Sequence, residues 1–250
     1  MAGHSHWARI KRAKSVADAR RGRIWSKLAR AIIVAARSGG GDPEANLSLR
    51  YAIDAARDAN MPKDTIERAI KKGTGELAGG ALEELVFEGY GPGGAAVLCV
   101  ALTDNRNRTA PEIKKIFELN GGKLATPGSV SRMFTKRGVF VISAQQADED
   151  TLTSIALDTG ADDVQPLGDA FELSCDPSVF GKVRAALEAA NIKPESAEVS
   201  MVAAVSVTLQ GEDAERMMKL IDALEDHDDT QNVYTNFEVS GEDAVRLSGG

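Results

Sequence analysis

Between residues 20 and 73 apolar positions recur every three to four residues. In RRGRIWSKLARAIIVAAR (20–37), Trp25, Leu28, Ala29, Ile32 and Ala36 share one face at about 100° per residue. Arg20, Arg23, Lys27, Arg30 and Arg37 fall within about 100° of one another on the opposite face. The pattern predicts a helix with a buried stripe and a cationic ridge, closed by Gly39 as a left-handed cap. A second helix is predicted over DPEANLSLRYAIDAARDAN, with Asp42 as N-cap, Pro43 at the first helical position and Leu49, Ala52, Ile53 and Ala56 inward. MPKDTIERAIKKG predicts a third, with Pro62 near its start and Gly73 closing it behind Lys71 and Lys72. Three short amphipathic helices make a small bundle, preceded by a basic arm.

After residue 76 the period changes. LEELVFEGYGPGGAAVLCVALT reads as two strands joined by a glycine-rich turn, and RTAPEIKKIFELNGG as a helix with Ile113, Ile116 and Phe117 inward. SVSRMFTKRGVFVIS reads as two strands around a tight turn at Lys136, Arg137 and Gly138. DEDTLTSIALDTG, PSVFGKVRAALEAAN and GEDAERMMKLIDALEDH read as helices. DVQPLGDAFELSC reads as a strand pair, and AEVSMVAAVSVTL and VYTNFEVS as strands. Hairpins and single strands separated by single helices fit an α+β class of split β-α-β units with antiparallel sheets, and two such units fit into residues 81–240. VRLSGG reads as a frayed tail.

Charge changes the picture. The chain of 250 residues has a formal net charge of -7, yet residues 1–40 hold ten Lys and Arg against one Asp. The other 210 residues carry 20 cations against 36 acids, a net of -16. A basic segment on an acidic body points to a polyanionic partner, against the alternatives of a solvated basic face or an Arg-rich presequence. No apolar run is long enough for a membrane helix, and the basic start has no apolar stretch of the kind a secretory signal needs. Cys99 and Cys175, far apart in apolar strands, read as reduced thiols, and the expected location is the cytoplasm.

Catalytic signals are weak. GYGPGG matches G-x-G-x-x-G at Gly89, Gly91 and Gly94, but an apolar strand follows where dinucleotide binding needs a helix, so it reads as a hairpin loop. No phosphate-binding P-loop is present, and His4, His6 and His227 lack a nucleophile partner. His227 in EDHDD reads as part of a solvated acidic turn. With Met1 removed, the start Ala2-Gly3-His4 could enclose Cu(II) or Ni(II), which reads as incidental. The expectation is no enzyme, no cofactor, no metal site and no small-molecule substrate.

The chemistry is instead that of phosphate contact. Lys11, Arg12, Lys14, Arg20, Arg21 and Arg23 interleave with Trp7 and Trp25. Trp25 reads as core, and Trp7 stays open between packing and stacking. TDNRNRT carries turn and N-cap formers with Arg106 and Arg108 projecting toward a possible phosphate near a helix start. Candidate nucleic-acid contacts are therefore Lys11, Arg12, Lys14, Arg20, Arg21, Arg23, Lys27, Arg30, Arg37, Arg106, Arg108, Lys136 and Arg137.

AGHSHWARIKRAK, MPKDTIERAIKKGTG, EGYGPGG, TDNRNRT and GSVSRMF, in that order along nearly the whole chain, resemble the YebC/PmpR family. His6, Thr65 and Arg132 depart from its usual residues. The resemblance implies a basic helical domain (1–76) followed by two ferredoxin-like α/β domains, one (137–203) inserted into the other (77–136 plus 204–240), and a tail (241–250). It implies a DNA-binding transcriptional regulator or, alternatively, a ribosome-associated translation factor that binds ribosomal RNA and relieves stalling at proline-rich stretches.

Overall fold

The periodic segment at 20–37 forms helix α1, Asp18–Gly39, followed by α2, Leu47–Asp58, and α3, Lys63–Thr74. The computed structural model describes residues 18–77 and 82–239, with side chains from Ile24 onward. Ile32 and Ala36 of α1, Leu49, Ile53 and Ala56 of α2, and Ile66 and Ala69 of α3 form one buried cluster, with Trp25, Leu28 and Ala29 packed against it. The apolar stripe thus faces inward as its spacing requires, and the Trp25 indole Nε1 donates to Ala59 O at 3.0 Å.

Helix ends differ from the sequence reading. Gly40, not Gly39, takes the left-handed conformation (φ 86°) after α1. The N-cap of α2 is Asn46 rather than Asp42. Its side chain accepts from Leu49 N at 3.1 Å and donates to Ala35 O and Gly40 O, each at 2.8 Å, so one amide ties the end of α1 to the start of α2. Pro43 lies in the preceding turn. Gly75 (φ 84°) caps α3, whereas Gly73 lies within the helix and lets it approach α1.

The same compact unit contains residues 82–130 and 211–233. Strands β1, Glu83–Tyr90, and β2, Ala96–Thr103, pair as the expected hairpin, with Pro92–Gly94 as a short 3-10 turn. Gly93 (φ 65°) and Gly94 (φ 77°) supply the turn backbone, and a strand follows, as the hairpin reading requires. With β3, Lys123–Leu124, and β9, Thr230–Thr235, they form a sheet ordered β3-β1-β2-β9, and α4, Arg106–Leu119, and α7, Gly211–Asp226, are the helices of this part. The carboxylate of buried Glu88 accepts from Gly128 N at 2.7 Å and Val130 N at 2.6 Å, fixing the loop before the chain leaves this unit.

The second unit holds residues 131–210 and 234–239. It contains β4, Phe134–Ser143, α5, Glu149–Thr159, β5, Asp163–Leu167, β6, Ala170–Cys175, α6, Phe180–Ala189, and β7, Ser196–Ala203. This β-α-β-β-α-β order with a sheet ordered β5-β6-β4-β7, antiparallel throughout, is ferredoxin-like. Phe140 of β4 stacks on Phe180 of α6 at 4.5 Å between ring centroids. The segment 196–209 breaks into β7 and β8, Val207–Leu209, and 230–239 into β9 and β10, Phe237–Val239; β8 and β10 pair in parallel.

No helix among the described residues is long and apolar enough to cross a membrane. Cys99 and Cys175 are buried and unpaired. Burial dominates at both thiols, pushing Cys99 up to about 12 and Cys175 up to about 11. Native protein at pH 8 is therefore expected to resist iodoacetamide, with both thiols labelled on unfolding. Native labelling at the rate of the unfolded chain would contradict this.

Candidate nucleic-acid interface

Lys27 and Arg30, on the cationic face of α1, meet protein. Lys27 Nζ donates to Glu225 O at 2.6 Å, and Arg30 donates to Asp228 O and pairs with the Asp229 carboxylate at 3.2 Å. These acceptors belong to EDHDD, the end of α7 and the turn into β9. The turn is not the solvated one expected. Asp229 and Thr230 are buried, and the His227 side chain is only 12% exposed. His227 Nδ1 accepts from Asp229 N at 3.2 Å, so Nε2 carries the proton and faces Glu112 Oε2 at 3.0 Å.

Asp229 is the centre of this arrangement. Its Oδ2 accepts from Arg108 at 2.7 Å, from the Thr109 hydroxyl at 2.7 Å and from the Thr103 hydroxyl at 3.1 Å, while Oδ1 faces Arg30. Burial opposes ionisation of this carboxyl, but hydrogen bonds from Arg108, Thr109 and Thr103 outweigh it and hold the group below its ordinary value. The TDNRNRT segment supplies three of these donors. Asn105 caps α4 as expected, its side chain accepting from Arg108 N at 3.2 Å. Arg108 turns back to Asp104 and Asp229, and Arg106 pairs with Glu83 at 3.2 Å.

Two further candidates need correction. Lys136, Arg137 and Gly138 do not form a hairpin tip; they lie inside β4, a single strand flanked on both sides by β6 and β7. Gly138 is there for close approach. A Cβ would come within 2.6 Å of both Cys175 Sγ and a Phe180 ring carbon. Arg137 pairs with Asp162, and Lys136 is exposed. Arg37 is exposed and donates to Leu82 O at 3.2 Å. Arg20, Arg21 and Arg23 lie on the first turns of α1, their side chains outside the described residues; Lys11, Arg12, Lys14, Trp7 and the Ala2-Gly3-His4 start also lie outside them.

The fold and these side chains can be set beside known proteins. A family profile described as "TACO1/YebC protein N-terminal domain" matches residues 5–76, and one described as "TACO1/YebC second and third domain" matches residues 82–237. A "Probable transcriptional regulatory protein" from Pelotomaculum thermopropionicum is 54% identical over 241 residues, covering 96% of this chain and 99% of that one. A protein of the same name from Geotalea uraniireducens is 51% identical, covering 99% and 100%. The crystal structure of a conserved hypothetical protein from Aquifex aeolicus is similar with a TM-score of 0.80 at 44% identity, covering 90% of this chain and 93% of that one.

Proposed function

Because this chain belongs to the TACO1/YebC family, we propose that it is a nucleic-acid-binding regulator of gene expression that acts on DNA as a transcriptional regulator. The observation that carries this reading is the charge division: a net of +9 in the first 40 residues against -16 in the rest. Lys and Arg neutralise phosphates and release counterions, giving affinity that falls with salt and selects weakly among sequences. The acidic remainder as a whole repels polyanions, which directs contact to locally basic surfaces. The names borne by its relatives supply the process.

In this reading the chain acts in the cytoplasm, without catalysis, and the arm cations Lys11, Arg12 and Lys14 with Arg20, Arg21 and Arg23 contribute phosphate contacts. Crosslinking in cells followed by sequencing of the bound strands tests it. Enrichment of promoter DNA is the expected result. Co-sedimentation with ribosomes and crosslinks confined to ribosomal RNA would overturn the transcriptional role.

A further inference from the structure

Lys27, Arg30, Arg106, Arg108 and Arg137 all engage acceptors of their own chain. Any of them meeting a phosphate must first give up a partner. Helix α3 differs. Arg68, Lys71 and Lys72 are exposed, and their side chains make no hydrogen bond or ion pair among the described residues. Ile66, Ala69 and Gly73 are its buried positions. At about 100° per residue, Lys71, Arg68 and Lys72 occupy an arc of roughly 100° on the side away from that stripe, with Asp64 one turn earlier in the same arc. Three charges therefore project from little more than one turn.

A structural role for these cations exists, since positive charge in a last turn suits the helix dipole. That role needs one such residue and is worth about 0.3–1 kcal/mol. The dipole's negative end, about half a charge, does not cancel three full positive ones. The arc also adjoins α1. Gly73 lies against Ala36 and Ile33 O, with Arg37 N within 3.3 Å of where its Cβ would be. The exposed Arg37 thus leaves the backbone beside Lys72.

We infer that the outward face of α3, carrying Arg68, Lys71 and Lys72, is a phosphate-contacting surface for duplex DNA. The inference rests on the nucleic-acid reading above and gives it an address outside the arm. Its occupant is chosen by charge complementarity: closely spaced cations on one helix, without partners among the described residues, fit a regularly spaced row of phosphates. The contacts position the duplex and carry little sequence preference.

The test is fluorescence anisotropy of the full chain with a labelled 24-base-pair duplex across a salt series. One variant is Arg68→Gln/Lys71→Gln/Lys72→Gln. A second, Lys115→Gln/Lys123→Gln/Lys219→Gln, removes the same charge from exposed positions elsewhere. Glutamine is a good helix former, and circular dichroism checks that folding is retained. The α3 variant is expected to bind about a hundredfold more weakly at 0.1 M salt, with the slope of log K against log salt reduced by about two to three. The control variant should bind within threefold of wild type. Equal weakening in both variants, or none in the α3 variant, overturns the inference while leaving the nucleic-acid reading in place. Wild type that fails to bind the duplex at all overturns that reading, and the inference with it.

Discussion

Replacing Asp229 by Ala is expected to destabilise the first unit by about 2–4 kcal/mol, seen as a lower denaturation midpoint with an unchanged denaturant slope. The carboxylate holds Arg30, Arg108, Thr103 and Thr109 together, and its side chain is only 4% exposed. Alanine removes the acceptor that the four donors share, leaving Arg30 with Asp228 O, Arg108 with Asp104 and Thr109 with Asn105 O. The figure lies toward the low side for a broken buried ion pair because Arg108 is 46% exposed and recovers water. Asp229→Asn keeps the volume and one acceptor oxygen and should fall between wild type and alanine. Acid adds a second readout. The folded carboxyl titrates below its unfolded value, so its contribution is complete above about pH 4 and is lost as pH falls through the folded pKa. Wild type should approach Asp229→Asn in stability only in that acid range. An alanine variant within 0.5 kcal/mol of wild type at pH 7 would rule out this role.

The second large effect is one substitution with opposite signs at two helical glycines. Gly73→Ala is expected to destabilise by about 1–2 kcal/mol, since a Cβ would sit 2.6 Å from both Ala36 Cβ and the Ile33 carbonyl oxygen. The carbonyl belongs to the backbone of α1 and cannot swing aside, so α3 must move away. Higher helix propensity returns up to about 1 kcal/mol and does not close the gap. Gly181→Ala in α6 meets nothing within 4 Å and should stabilise by about 0.5–1 kcal/mol. Thermal melts of the two variants decide it; a Gly73→Ala protein that melts at or above wild type would contradict the close packing.

The first two helices were legible because their inner faces repeat with helical period, and Trp25, Leu28, Ile32, Leu49 and Ile53 pack where that period puts them. The β1–β2 hairpin was legible through its glycines. Lys136-Arg137-Gly138 misled because a basic pair before glycine has the composition of a turn, whereas this glycine answers to Cys175 and Phe180 across the sheet. The Asp229 cluster left no local trace. Its donors Thr103, Thr109 and Arg108 lie more than a hundred residues earlier, and Arg30 earlier still. A run of acids is ordinarily a solvated face, and only tertiary packing made this one an anchor. Of the cationic ridge of α1, Lys27 and Arg30 do share one side, against the α7–β9 turn. What periodicity could not reveal is that a helix can be covered on both sides, by its bundle at Trp25 and Ile32 and by the α7–β9 turn at Lys27 and Arg30.

The bonds from Lys27 and Arg30 to that turn each span 198 residues of chain. On the ribosome, α1 is made long before the acceptors that cover its charged side. At about 5–20 residues per second the wait is roughly 10–40 seconds. Throughout it the nascent helix shows Lys27 and Arg30 uncovered, in a setting dense with phosphate. The end of α7 and the start of β9, synthesised late, withdraw those two cations from that competition.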